Sequence, residues 1–512
     1  MQSIYSSILT TKSGSQIPVF HSGRTAESKY NPQLEAQRIV EGIEKKYDFF
    51  ILIGVSSGIL LKNLVQNFNN SVFFCIEPSE NDYSFLFSSE NNLEIRKFMN
   101  HKNIHFCTFD KIESQLCQIY LPVKFNDFKI IETRGWSNEN KEIIPKIYEK
   151  IQNAANLISS DFSTQAHFGK LWINNILNNL KLLSSQKNRS NFTNQNKNLI
   201  PDLKKTAAVI AAGTTLDNTI QILQKKRDSF YIISTDTAYS SLIKHKIIPD
   251  VVISIDGQNV SYNHFLHNVD VSKTSFLFDL TSNYKASKYL FGKNSNIHFF
   301  AGGHPFSTLV QNFSDSFFPN LFAGAGTVTI AATDFAFKCG FENIQVFGAD
   351  FSYQNGKSYT KGTYLDILYH KDETRIYNSE FLYDKLMFRS PLEHQNCKQD
   401  GSFTTKLLQS YKNSFESFII QNKYSIKYEN SIYYLTQKIQ NTNKTDFITE
   451  FFKTQTFEYN NFINYIQKAA PENVETALLP LAAFFKINLK KNDFSEILKV
   501  AHSYIVEYNN RI

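Results

Sequence analysis

Short apolar runs that stop at a glycine or an aspartate, each followed by a helical pattern, recur through the middle of the chain. They stop at Gly213, Asp236, Asp256 and Asp350. Strands and helices that alternate in series favour one open, mostly parallel sheet with helices on its faces. The same alternation occurs near the N-terminus. We therefore predict an α/β protein.

The N-terminal alternation has the outline of a Rossmann-like domain. A strand at Phe49–Ile53 meets a turn that contains Gly54 and Gly58, and the next strand ends at Glu77. A glycine turn and an acidic residue at these places can form a nucleotide or adenosyl pocket in which the acid holds a ribose. Because the full Gly-x-Gly-x-x-Gly motif is absent, we favour the alternative, a structural lobe with an empty crevice.

The pattern divides the chain into four parts. Residues 1–160 form the predicted Rossmann-like domain, and residues 161–200 form a connecting helix and a polar linker. Residues 201–403 hold the central open sheet. Residues 404–512 lack the alternation and have a helical period, so we expect a helical C-terminal region there.

Charge and cysteine content limit the partners and the compartment. The formal net charge of +7 is spread along the chain without a basic block, so we expect no nucleic-acid partner. The five cysteines lie far apart and form neither Cys-x-x-Cys nor a disulfide framework. We find no signal peptide and no apolar run long enough to span a membrane. We therefore expect a cytoplasmic protein.

The carboxyl ends of parallel strands share one edge of a sheet, and open α/β sheets bind ligands at that edge. The strand that ends at Gly213 leads into a helix that begins near Thr214. The free N–H groups and the positive dipole end of a helix start suit a phosphate. Thr327 opens a second helix beside a glycine-rich loop. The sequence therefore predicts a ligand site along this edge.

Two tyrosines follow the last strand of this series, in the segment "IQVFGADFSYQNGKSYT". They are Tyr353 and Tyr359, and a turn at Asn355 and Gly356 separates them. Two phenol groups at a ligand-binding edge can donate hydrogen bonds to a phosphate that gains charge. The alternative is that both rings belong to the core, but the turn between them favours a functional interpretation.

The segment "FGADFSYQNGKSYT" resembles the part of bacterial family 42 sialyltransferases in which Asp-Phe precedes Tyr-Gln-Asn-Gly and a second tyrosine. The order of motifs along the whole chain resembles the motility-associated factor (Maf) flagellin glycosyltransferases. The stretches "FFILIGVSSG", "CIEPSE", "HFGKLWINNILNNL", "IIPDVVISIDGQ" and "DGSFTTKLLQSYKNSFE" all fit that order. One departure is that Thr214 stands where the sialyltransferases have the proline of a Gly-Pro-Ser loop.

This resemblance implies a fold and an activity. The fold would have a Rossmann-like N-terminal domain, a sialyltransferase-like central sheet and a helical C-terminal region. The activity would be that of a protein O-glycosyltransferase. It would move a nonulosonic acid of the pseudaminic or legionaminic type from a CMP-activated donor to serine or threonine of flagellin. The resemblance implies no required cofactor, because the CMP-sugar is a substrate.

The resemblance also assigns roles to residues. Tyr353 and Tyr359 would hold the leaving group, Asp236 would contact the cytidine nucleotide, and Asp256 with Gln258 would contact ribose or sugar hydroxyls. The predicted nucleotide- and substrate-binding residues are Gly213, Thr214, Thr215, Asp236, Asp256, Gln258, Gly326, Thr327, Gly348, Asp350 and Asn355.

The acceptor hydroxyl must lose a proton, and a histidine with a near-neutral pKa suits that task. Two histidines, His370 and His394, follow the tyrosines. The sialyltransferases have their base shortly before a helix like the one predicted after residue 402. We therefore prefer His394 as the general base and keep His370 as the second candidate.

Two other functions are compatible with the sequence. The central part also resembles 6-hydroxymethylpterin diphosphokinase MptE-like proteins, so Asp236, Asp256 and Asp350 could hold magnesium and ATP for diphosphate transfer. Against this, the sequence has no Gly-x-x-x-x-Gly-Lys-[Ser/Thr] loop and no lysine or arginine clamp beside the glycines. The second alternative is a non-catalytic flagellar accessory protein that binds without reacting.

Overall fold

The structure is a computed structural model in which the chain separates into two compact units. The first unit is Met1–Gly169 with Leu479–Tyr504, and the second is Lys170–Leu478 with Ile505–Ile512. The structure describes residues 2–186, 201–267, 269–293, 295–314, 318–324, 326–354, 356–371, 373–394, 402–437, 444–451 and 455–508. The predicted linker lies largely outside these residues, and the predicted four-part division stays a prediction.

The first unit contains a four-stranded parallel sheet and an N-terminal hairpin. The hairpin pairs β1 with β2, and the sheet has the order β5-β4-β3-β6. This is the strand order of half a Rossmann fold, so the predicted Rossmann-like topology is confirmed. The elements are β1 (Tyr5–Thr10), β2 (Gln16–Phe20), α1 (Pro32–Glu41), β3 (Phe49–Ile53), α2 (Ile59–Asn67), β4 (Val72–Glu77), α3 (Glu80–Phe87), β5 (Ile104–Thr108), α4 (Ile112–Ile119), β6 (Phe128–Glu132), α5 (Arg134–Glu139) and α6 (Ile144–Gln186), of which residues 170–186 belong to the second unit.

The second unit is built on an eight-stranded sheet with the order β11-β10-β9-β8-β7-β12-β16-β15. Its elements are β7 (Thr206–Ile210), α7 (Leu216–Lys225), β8 (Phe230–Thr235), α8 (Asp236–Lys244), β9 (Val251–Ser254), β10 (Ser275–Asp279), α9 (Tyr284–Gly292), β11 (Asn296–Phe300), α10 (Pro305–Phe313), α11 (Val328–Cys339), β12 (Asn343–Phe347), α12 (Tyr364–Lys371), α13 (Ser379–Met387), β13 (Glu393–His394), β14 (Phe403–Thr404), α14 (Lys406–Gln421), β15 (Tyr424–Glu429), β16 (Ile432–Gln437), α15 (Lys444–Phe451), α16 (Tyr459–Lys468) and the start of α17 (Glu475–Leu489). The rest of α17 and residues 494–504 of α18 (Phe494–Tyr508) belong to the first unit.

The six strands from β7 to β12 are parallel, as predicted, and they have a switch point. Strands β8 to β11 extend from one side of β7 in chain order, whereas β12 pairs with the other side of β7. The direction of winding therefore reverses between β7 and β12. Open α/β sheets bind their ligands at such a reversal, just beyond the carboxyl ends of the strands.

The hydrophobic core covers both faces of this sheet. Alternate residues of β7 point to opposite sides, so Ala207 and Val209 join one cluster, and Ala208 and Ile210 join another. The first cluster contains α11, whose residues are buried almost all round. The second contains α7 and α8. Two covered faces explain why the central strands are apolar throughout rather than alternating.

The C-terminal region contains the predicted helices and also two strands that we did not predict. Strands β15 and β16 form a hairpin, and β16 adds it antiparallel to β12. The turn between them uses Asn430 and Ser431 with φ of 50° and 62°. Two consecutive positive φ values are typical of the tight turns that match the twist of a hairpin. The mixed α/β class is confirmed with this addition.

Candidate active site at the switch point of the central sheet

A cavity of about 350 Å³ opens at the switch point of the second unit. It lies beyond the carboxyl ends of β7 and β12, where the winding rule places a ligand. Seven of the residues predicted from the sequence line it: Gly213, Gly326, Thr327, Gly348, Asp350, Tyr353 and Tyr359. The other lining residues are Ala211, Ala212, Thr235, Thr237, Val328, Thr329, Ala349, Phe351, Ser352, Ser358, Arg389, Ser390, Thr405, Leu407, Leu408 and Tyr411.

Two glycines let the strand ends approach each other on the floor of this cavity. The N–H of Gly213 donates to the carbonyl oxygen of Gly348 over 2.8 Å. A Cβ added at Gly213 would lie 2.4 Å from that oxygen and 2.6 Å from Cγ of Asp350. Gly348 has φ of +64°, and a Cβ there would lie 2.4 Å from the carbonyl oxygen of Ala211. Neither position can take a side chain without moving the backbone.

The carboxylate of Asp350 joins the end of β12 to the loop before α7. It accepts hydrogen bonds from the backbone N–H of Thr215 at 2.9 Å, from the hydroxyl of Thr214 at 3.3 Å, and from the hydroxyl of Thr215. Burial raises the pKa of Asp350, while these donors act in the opposite direction. The carboxylate of Asp350 thus holds the predicted phosphate-binding loop in place. Thr214 and Thr215 are buried and do not line the cavity.

The start of α11 faces the cavity directly. Gly326, Thr327, Val328 and Thr329 all line it. Among the described residues, none accepts a hydrogen bond from the N–H groups of Val328 and Thr329. Gly326 has φ of +72°, and a Cβ at this position would lie 3.3 Å from the ring of Tyr411. A helix start with free donors is suited to an anion.

Tyr353 and Tyr359 lie on the same cavity, as the sequence suggested. Tyr353 is held by its backbone, which exchanges two hydrogen bonds with Phe403, at 2.7 Å and 2.9 Å. Burial raises the pKa of Tyr359, the neighbouring Tyr353 adds to this rise, and Arg389 opposes it. The Tyr359 phenol therefore keeps its proton at neutral pH and can donate a hydrogen bond.

Arg389 also lines the cavity, although the sequence has no lysine or arginine clamp beside the glycines. It follows Tyr359 by 30 positions, and α12 and α13 lie between them. The chain returns to the cavity only through its tertiary fold, so no local pattern marks this residue. Tyr411, on α14, reaches the cavity in the same way and was not singled out either.

Three predicted contact residues lie near the cavity but do not line it. Asp236 is buried and accepts from the N–H of Thr237 at 2.7 Å and from the hydroxyl of Ser254 at 2.7 Å. Burial raises the pKa of Asp256, which accepts from the N–H of Gln258 at 2.8 Å. Both carboxylates thus have hydrogen-bond donors nearby in the chain or the sheet. Thr235 and Thr237, the neighbours of Asp236, line the cavity, whereas Asp236 does not.

The candidate bases and one turn residue have less support from the geometry. His370 is exposed on α12, where its Nδ1 lies 2.6 Å from the carbonyl oxygen of Asp366, and it does not line the cavity. The backbone of His394 pairs with that of Phe403, but its side chain lies outside the described part of the structure. Asn355 also lies outside it. The identity of the base stays a prediction.

The three aspartates proposed for magnesium do not gather into one site. In the part of the chain that the structure describes, no group of three or more histidine, cysteine, aspartate or glutamate side chains is placed to hold a metal ion. Asp350 is hydrogen-bonded to Thr215, and Asp236 is hydrogen-bonded to Ser254.

Among the described helices, none has the length and apolar character needed to cross a membrane.

The N-terminal crevice of the first unit is filled by side chains of that unit. Glu77 accepts from the N–H of Val55 at 2.7 Å, the hydroxyl of Tyr5 at 3.1 Å and the indole N–H of Trp136 at 3.3 Å. A Cβ at Gly54 would lie 2.3 Å from the Trp136 ring, so the glycine makes room for the indole. Glu77 is thus engaged by protein donors, which favours a structural lobe over a pocket in which Glu77 holds a ribose. The crevice is filled by side chains, whereas the sequence predicted an empty one.

Comparison with known proteins gives one family match and several relatives. Residues 174–356 match the family described as 6-hydroxymethylpterin diphosphokinase MptE-like. This range contains the strands and glycines that build the cavity floor. Two proteins of Treponema pallidum (strain Nichols), each named only "Uncharacterized protein", are similar to parts of the chain. One is 29% identical over 213 residues (42% of this chain and 67% of the relative), and the other is 28% identical over 207 residues (37% and 95%).

The fold is similar to a solved structure over nearly its whole length. The Maf glycosyltransferase from Magnetospirillum magneticum AMB-1 superposes with a TM-score of 0.57 and 12% identity, covering 99% of this chain and 86% of that one. The chain therefore has the fold of that Maf protein, and residues 174–356 within it are similar to the MptE-like family. The resemblance inferred from the motifs is confirmed at the level of the fold.

Proposed function

We propose that the protein is a glycosyltransferase that moves a nonulosonic acid from a CMP-activated donor to serine or threonine hydroxyls of flagellin. The observation that carries the proposal is the meeting of Tyr353 and Tyr359 in one cavity at the switch point of a Maf-like fold. A glycine floor and a free helix start surround them. These are groups that bind an anion, and they need no metal.

The reaction requires one bond to break and one to form. The acceptor hydroxyl oxygen attacks the anomeric carbon, the bond from that carbon to the phosphate oxygen breaks, and CMP leaves with both electrons of that bond. The hydroxyl proton passes to a base, for which His394 is the preferred candidate. The sugar becomes cation-like on the way and the phosphate gains negative charge, so donors aimed at the phosphate lower the barrier.

The described residues supply such donors. The Tyr359 phenol remains protonated at neutral pH because burial raises its pKa. The N–H groups of Val328 and Thr329 are free of partners among the described residues and face the same space. We assign the departing phosphate to this group of donors. The transfer then needs no cofactor, and the protein would act in the cytoplasm, where CMP-sugars are made available.

Isothermal titration tests this proposal directly. The purified chain is titrated with CMP, with ATP and Mg²⁺, and with S-adenosylmethionine. We expect CMP to bind and the Tyr359→Phe variant to bind it more weakly, because one donor to the phosphate is lost. Failure of CMP and of CMP-sugars to bind at millimolar concentration would instead support a non-catalytic accessory protein.

The family match favours a second candidate, diphosphate transfer from ATP to a pterin alcohol. This candidate would require Mg²⁺, although Asp236, Asp256 and Asp350 do not gather into one metal site. Binding of ATP with Mg²⁺ but not of CMP would select this candidate. The same titration therefore separates the two enzymes and the binding protein.

A further inference from the structure

We propose that Arg389 recognises the carboxylate of the donor sugar and so makes the cavity selective for acidic sugars. This inference rests on the proposed function and deepens it. A nonulosonic acid carries a carboxylate on the anomeric carbon, beside the phosphate ester. A donor of this class therefore brings two anionic groups into the site, whereas a neutral sugar nucleotide brings only its phosphates.

Arg389 is the one cationic side chain among the described residues that line the cavity. It takes part in no hydrogen bond or ion pair with another residue of the described ranges. The carboxylate in that lining, Asp350, is occupied by Thr214 and Thr215 rather than by the guanidinium. The arginine is thus available to a ligand.

Arg389 is exposed to solvent at the cavity. Its charge opposes the rise that burial causes in the pKa of Tyr359, Tyr369 and Tyr411, so it lies within electrostatic range of all three phenols. Tyr359 and Tyr411 themselves line the cavity. The guanidinium therefore belongs to the cavity lining while it remains accessible to solvent.

The phosphate already has other donors in the cavity. The N–H groups of Val328 and Thr329, which have no acceptor among the described residues, and the phenols of Tyr353 and Tyr359 account for it. A guanidinium offers a planar pair of N–H donors that matches a carboxylate. The second anion of a nonulosonic acid donor is therefore the natural partner of Arg389.

The test compares two ligands that differ by the sugar. One is CMP, and the other is a 3-fluoro analogue of CMP-N-acetylneuraminic acid, which resists transfer. Both are titrated into the wild type and into Arg389→Gln and Arg389→Lys. We expect Arg389→Gln to weaken binding of the analogue roughly tenfold to a hundredfold and to leave CMP within about twofold. Arg389→Lys keeps the charge but not the paired donors, so we expect an intermediate loss.

Arg375→Gln is the matched control. Arg375 is an exposed arginine between α12 and α13 and does not line the cavity, so its loss should change neither affinity. Equal losses of affinity for CMP and for the analogue in Arg389→Gln would mean that Arg389 binds the phosphate. Unchanged affinities would mean that Arg389 contacts neither ligand. Either result would overturn this inference and leave the proposed function standing. If the wild type fails to bind CMP, the proposed function fails and the inference fails with it.

Discussion

The backbone N–H of Gly213 donates to the carbonyl oxygen of Gly348 over 2.8 Å, which joins the ends of β7 and β12 at the point where the sheet reverses its winding. Gly213→Ala would place a Cβ 2.4 Å from that oxygen. The strand ends would have to separate, so we expect a loss of about 1–3 kcal/mol in the free energy of unfolding, as for an overpacked core. We also expect CMP binding to be lost, which titration would measure.

Gly292→Ala is the control for this prediction. Gly292 ends α9, and a Cβ there meets no atom within 4 Å. Alanine has the higher helix propensity, so this variant should be as stable as the wild type or slightly more stable. If Gly213→Ala melts and binds CMP like Gly292→Ala, the close approach of the two strand ends is not needed for the site.

The phenol hydroxyls of Tyr353 and Tyr359 should matter more to the rate than to stability. Phenylalanine keeps each ring and removes only the donor. We expect each Phe variant to lower kcat roughly a hundredfold, which is typical when one donor to a developing negative charge is removed. Formation of CMP in quenched single-turnover experiments measures this effect without contributions from product release.

Tyr377→Phe removes the same atom from an exposed tyrosine, which is 57% accessible and does not line the cavity. Its rate should equal that of the wild type. A rate in Tyr353→Phe and Tyr359→Phe that matches Tyr377→Phe would show that the two phenols belong to the core rather than to the chemistry.

The regular part of the fold was predictable because its signal is local. A buried strand that stops at a glycine or an aspartate, followed by a helix, marks one unit, and several units in series define a parallel sheet. The edge that carries Gly213, Asp350 and Tyr353 follows from that alone. The β15–β16 hairpin was missed because it lies among helices, although the Asn430–Ser431 turn between alternating apolar residues was a signal.

The remaining features depend on tertiary contacts that no short segment encodes. Arg389 reaches the cavity only after α12 and α13 have returned the chain to it. Trp136 fills the N-terminal crevice from a helix that follows β6, and nothing near Gly54 predicts it. The hydrogen bonds of Asp350 were not predictable for a similar reason, because its partners Thr214 and Thr215 lie far away in sequence.

The hydroxyl of Thr215 should stabilise the second unit through Asp350. Thr215→Val keeps the shape of the side chain and removes its hydrogen bond to the buried carboxylate. Hydrogen bonds to charged groups contribute about 1.5–3 kcal/mol, so we expect a loss of this size in the free energy of unfolding. Thr215→Ser retains the hydroxyl and should lose less than half as much. A larger loss in Thr215→Ser than in Thr215→Val would show that the methyl group, and not the hydroxyl, supplies the stability.

The first unit should lose stability as the pH rises, because it buries two carboxyl groups in their neutral form. Burial raises the pKa of Glu27 to about 8, against the opposing hydrogen bond from the Ser57 hydroxyl, and burial raises the pKa of Glu77 to about 8 as well. The unfolded side chains titrate near 4.5. Between these pH values the unfolded state has released protons that the folded state retains, so each group lowers stability by about 1.4 kcal/mol per pH unit.

Glu27→Gln removes one of these two groups and should reduce the slope of stability against pH by about half between pH 5 and pH 8. Urea unfolding is followed by the fluorescence of Trp136 in a Trp172→Phe background, since the chain has 2 tryptophans and Trp136 is the one in the first unit. Glu41→Gln, at an exposed position on α1, should leave the slope unchanged. If Glu27→Gln also leaves it unchanged, Glu27 is ionised in the folded protein and its burial does not oppose folding at neutral pH.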